Sequence, residues 1–82
     1  MPEIARFYGI IIKIYFGDHP PPHFHAVYGE HMGLFSIDSL TMLEGSLPGR
    51  AKALVLEWAE RNQTELKNMW VTQEFHKLPP LE

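Results

Sequence analysis

Three of the chain's five histidines and three of its seven prolines fall within eight residues, Asp18-His19-Pro20-Pro21-Pro22-His23-Phe24-His25. An imidazole changes charge near neutral pH, so it can move protons, ligate a metal or exchange hydrogen-bond roles. Three successive prolines hold the backbone extended and remove three donors, so this segment is neither helix nor central sheet. His23 and His25 follow at a spacing of two, which points both rings to one face once the chain resumes as a strand. In a hairpin closed by residues 17–22, Lys13 and Tyr15 share that face one strand away, at about 5 Å.

This grouping supports several chemistries. His23 and His25 could act as general acid and base, with Tyr15 as a phenol donor and Lys13 stabilising an anion. Asp18 and His19 overhang the same end and could bind a ligand. His23 and His25 with His19, or with Asp18, could hold zinc, nickel or copper, the one cofactor class the chain invites. Arg50 and Lys52 flank the start of a helix, where a phosphate could bind. A plainer reading stands beside these: the prolines stiffen a corner, and the histidines cap backbone groups or pack on Tyr15. A docking surface is the fourth reading, and the residues alone leave all of them open.

The other candidates are weaker. Glu30-His31 falls in an expected turn, and His76 has no partner that spacing assigns. Trp58 and Trp70 read as core. With no Gly-rich phosphate loop, no Gly-x-Ser-x-Gly elbow and no cysteine, P-loop hydrolysis and thiol chemistry are excluded.

Strands must position the histidines. From Phe7 to Phe16 the chain alternates, with Tyr8, Ile10, Ile12, Ile14 and Phe16 on one face and Ile11, Lys13 and Tyr15 on the other. His23–Tyr28 alternates again, sending Phe24, Ala26 and Tyr28 to the core. After a turn at Gly29-Glu30 a third strand runs from Met32 to Ile37. Asp38-Ser39 turns the chain into a short fourth strand, Thr41 to Leu43. Beyond Pro48 the period becomes helical: Ala51, Leu54, Val55, Trp58 and Ala59, then Leu66, Met69 and Trp70. Asn62 with Glu65 three residues on predicts a cap, and so two helices kinked there. Leu78-Pro79-Pro80-Leu81 predicts an extended end laid across the surface. The expected fold is α+β: a three- to four-stranded antiparallel meander, then two helices on one face, with the histidine face left uncovered.

Composition sets the bounds. The chain has 82 residues, enough for one domain over 1–82, with 45% hydrophobic residues and 12% aromatic ones, as in a globular protein. Ten acidic and seven basic side chains give a net charge of −3, which disfavours nucleic-acid binding through bulk charge. Without cysteine there is no disulfide scaffold. The first residues lack signal-peptide character and the apolar run of residues 9–12 is too short to span a bilayer, so a cytoplasmic location is expected.

Residues 1–12, the block from Asp18 to Tyr28, Leu43-Glu44-Gly45-Ser46-Leu47-Pro48, and Trp58 with Leu66 and Trp70 together resemble the domain-of-unknown-function family forty-one-sixty. The resemblance covers nearly the whole chain, and departs at Ser39-Leu40 and between Val71 and Lys77. It implies a small bacterial protein without an established activity. Family members are often encoded beside another small domain, in pairs that look like toxin–antitoxin modules. Two functions follow as expectations. One is an interaction module of such a pair, binding a small protein encoded by the neighbouring gene. The other is a ribonuclease-like or other hydrolytic toxin using His23 and His25, with Lys13 or Arg50 holding phosphate. Homo-oligomerisation is compatible with either.

Overall fold

A computed structural model describes residues 3–15 and 19–81. Five strands run in chain order: β1 (Glu3–Phe7), β2 (Ile10–Lys13), β3 (His23–Tyr28), β4 (His31–Ser36) and β5 (Met42–Ser46). Each pairs antiparallel with the next in one sheet of order β1-β2-β3-β4-β5. One helix, α1 (Gly49–Thr72), follows. The α+β class and the meander are as expected, but the counts are five strands and one helix.

The extra strand comes from a turn inside the expected first one. Tyr8 and Gly9 take φ of 49° and 80°, so a two-residue loop reverses the chain and sets Phe7 opposite Ile10. Two successive positive φ values suit the twist of a tight hairpin. Tyr8 consequently lies outside the core, 59% exposed. Ile10, Ile12 and Ile14 are fully buried as predicted, while Phe16 lies outside the described residues. The last strand also runs later than expected, over Met42–Ser46 instead of Thr41 to Leu43.

Asn62 does interrupt the helix, with φ −118° and ψ 15°, but the chain continues as one element. Its side chain does not cap a second helix. The Asn62 amide donates back to the Trp58 carbonyl at 2.8 Å, a bond that bends a helix without ending it. Next to it, the Gln63 amide donates to the carbonyls of Ile37 and Asp38, tying the bend to the end of β4. The helix stops at Gln73, whose N–H still donates to the Met69 carbonyl while its left-handed φ of 60° turns the chain out of the helix.

The core lies between one sheet face and α1. Phe24 stacks on Phe35 with ring centroids 5.4 Å apart, and Trp58 meets Phe24 edge-on at 6.0 Å. Val55, Ala59, Leu66 and Met69 continue the helix face. The C-terminal segment is more than a surface strap, because Leu78 and Leu81 are both buried. Its backbone is held as well: the Leu78 N–H donates to the Ile4 carbonyl on the edge strand, and the Trp58 indole donates to the Pro79 carbonyl at 2.9 Å.

Candidate functional site on the outer sheet face

The pairing of β2 with β3 decides which side chains meet. Lys13 stands opposite His25, so both project from the face that α1 does not cover. Tyr15, two residues beyond Lys13, sets its ring edge-on to His25 with centroids 4.7 Å apart. The His23 and His25 rings are 5.4 Å apart, as expected of neighbours at a spacing of two on one face. The structure therefore gathers Lys13, Tyr15, His23 and His25.

The expectation that this face stays wholly uncovered needs correction at His23, which is only 6% exposed. Trp70, near the end of α1, brings its ring within 5.2 Å of the His23 ring. The cause is the length of the bent helix, whose last turns extend to the start of β3. Helical periodicity placed Trp70 on an apolar seam but carried no sign that it would cover a histidine.

The proline loop fixes the His23 ring directly. His23 Nδ1 lies 2.8 Å from the Pro21 carbonyl oxygen, which can only accept, so Nδ1 carries the proton and donates. A neutral His23 then holds its lone pair on Nε2. Two residues of rigid backbone thus select the tautomer and orient the ring, a role that outer partners play for functional histidines generally. His25 is half-buried beside it, between His23 and Tyr15. The group can accept and donate protons and hydrogen bonds, and it offers flat rings to a partner.

The remaining candidates lie elsewhere. His19 is exposed at the loop, and Asp18 lies outside the described residues. Among the described residues no three histidine or acidic side chains converge as a metal set, so His19 does not complete one with His23 and His25. Arg50 lines a cleft with Tyr8 and Tyr28. Tyr28 ends the strand that His23 begins, about 16 Å of strand from His23 and about 10 Å from His25, and alternation puts its side chain on the sheet face opposite theirs. Arg50 therefore cannot share an anion with His23 and His25. His31 begins β4 instead of lying in a turn, and it is exposed. His76 does find a partner, with Nε2 3.3 Å from Glu65 on the surface.

Beside the rings, the outer face carries an apolar band: Ile11, Val27 and Met32 stand side by side across three strands, with Leu34 next to His25. Met32 is largely exposed and the others are half-buried. Glu44 borders Leu34 on the edge strand. No helix among the described residues is long and apolar enough to cross a membrane.

Comparison with known proteins gives one match. A family model described as "Domain of unknown function (DUF4160)" matches residues 9–71, which contain the histidine block and nearly all of α1. No curated protein and no solved structure matches the chain.

Proposed function

The chain belongs to the domain-of-unknown-function family forty-one-sixty, and from that premise we propose that it is a cytoplasmic interaction module of a bacterial toxin–antitoxin-like pair. Its docking surface is the outer sheet face, and its partner is a small protein encoded by the neighbouring gene. One observation carries this reading. The helix covers one sheet face, and the other presents the half-buried rings of His25 and Tyr15, backed by buried His23 and by Trp70, beside the Ile11, Val27, Leu34 and Met32 band. Rigid aromatic anchors bordered by apolar and charged groups are what protein interfaces use, because they bury area at little entropic cost.

A second reading has its own support. His23 donates through Nδ1 and so, when neutral, carries its lone pair on Nε2, with Tyr15, His25 and Lys13 close by. That arrangement suits acid–base hydrolysis by a toxin. The net charge of −3 leaves nucleic acid the less favoured substrate. The double variant His23→Ala/His25→Ala, with His25→Ala alone as the folding-safe control, separates the two readings. Loss of binding to the neighbouring gene's product, with the fold intact, supports docking. Normal binding with lost toxicity or lost RNA cleavage in a growth assay supports hydrolysis. Normal binding and normal growth with only a lower Tm leave the block as a structural corner. A change in oligomeric state on losing the rings would make a second copy of the chain the occupant.

A further inference from the structure

A cleft of about 270 Å³ opens where the Tyr8-Gly9 turn and the end of β3 meet the start of α1, away from the histidine row. Its floor is aliphatic, built from buried Ile10 and Leu81 with half-buried Leu54. Its rim carries two phenols, Tyr8 and Tyr28, and two charges, Arg50 and Glu57. The two charged residues and Leu54 fall at i, i+4 and i+7 of one helix, so they line the same side. The wall is preformed. A Cβ at Gly9 would lie 3.5 Å from a Tyr28 ring carbon, so that ring rests directly on the hairpin backbone. Leu81 is fixed by the tail bonds from Leu78 and to Pro79.

The two charges differ in their engagement. Glu57 faces Arg61 at 3.8 Å, while Arg50 has no hydrogen bond or ion pair among the described residues. A guanidinium beside an aliphatic floor matches a carboxylate attached to an apolar body, since it can grip both oxygens in a fork. Glu57 repels a second carboxylate at the other end. The volume lies just below the roughly 300–1,000 Å³ of drug-sized pockets, so it suits a ligand about as large as one amino acid.

We propose that this cleft binds a small monocarboxylate with an apolar body, held by Arg50 at its charged end and by Ile10, Leu54 and Leu81 along its body. The site is independent of the docking face and stands or falls without it. N-acetyl-leucine is the probe, titrated into the full chain and followed by amide NMR signals. N-acetyl-leucinamide tests the need for the carboxylate, and inorganic phosphate tests the need for the body. The expected result is a saturable shift of the Ala51, Leu54 and Leu81 signals with N-acetyl-leucine only. Arg50→Gln, on an exposed side chain, should keep the native spectrum and weaken binding about tenfold or more. The proposal is overturned by no saturable shift, by equal binding of the amide or of phosphate, by shifts centred on Lys13 and His25, or by undiminished binding to Arg50→Gln.

Discussion

His23 and His25 are two residues apart, carry the same ring and face the same way, yet their surroundings assign them different work. His23 is buried under Trp70 and bonded to the Pro21 carbonyl, so its removal leaves a cavity and breaks that bond. His25 is half-buried and reaches the surface. His23→Ala should therefore cost about 2–3 kcal/mol in urea unfolding, against under about 1 kcal/mol for His25→Ala. Equal costs would show that the proline loop does not anchor His23. The sequence indicated that these rings share a face with Lys13 and Tyr15, because a spacing of two fixes direction on any strand. It could not indicate their burial, which depends on Trp70, 47 positions further along the chain.

Among the elements, the edge strand β5 depends on one residue. Gly45 has a φ of 88°, and a Cβ there would collide with the Met32 carbonyl oxygen of β4. Gly45→Ala should then destabilise the fold by about 2–4 kcal/mol, from left-handed strain plus displacement of backbone. A cost near zero, measured by thermal or urea unfolding, would mean that β5 shifts its register freely. The helix teaches a related lesson. Its apolar period was plain to read, and so was the irregularity at Asn62. The missing information was what the Asn62 side chain would do: a cap would have its oxygen accept from a forward N–H, whereas here its –NH2 donates back to the Trp58 carbonyl and the element continues through the bend. Beside it, the Gln63 amide ties that bend to the end of β4.

Over the whole molecule, Trp58 joins the sheet, the helix and the tail. It is 1% exposed, contacts Phe7 and Phe24, and donates to Pro79. Trp58→Ala should cost about 3–5 kcal/mol. Trp58→Phe keeps most of the packing but breaks the bond to the tail, so it should speed proteolysis after Lys77 more than it lowers Tm. Cleavage unchanged from wild type would deny the indole that clamp. The tail is also tied to β1 by charge. Glu3 accepts from Arg6 at 2.8 Å and lies 3.4 Å from Lys77. Hydrogen bonding from Arg6 pulls the Glu3 carboxyl below its ordinary value, desolvation opposes this, and the charges of Arg6 and Lys77 add to the lowering. The unfolded chain then holds the Glu3 proton up to a higher pH than the folded one. The stabilisation is accordingly present above the ordinary carboxylate range and is lost as pH falls through the folded value. Glu3→Gln should flatten the acid limb of Tm against pH slightly, and added salt should shrink the difference, because the cluster is on the surface. An acid limb identical in both proteins would show that the cluster does not contribute.

The sequence by itself determined the class of the fold, the strand that carries His23 and His25, the core face of the helix and the family. Each follows from local periodicity or from a run of specific residues, and needs no knowledge of distant neighbours. The tertiary structure alone decided the rest. It turned the chain at Tyr8-Gly9, buried His23 beneath Trp70, seated Leu78 and Leu81 in the core, and moved Arg50 from the histidines to a cleft of its own. The turn at Tyr8-Gly9 is local, set by two positive φ values inside a run that alternates like a single strand. The other outcomes share one physical cause: contacts between residues tens of positions apart depend on how helix length, strand register and tail path add up, and no short window of sequence carries that sum.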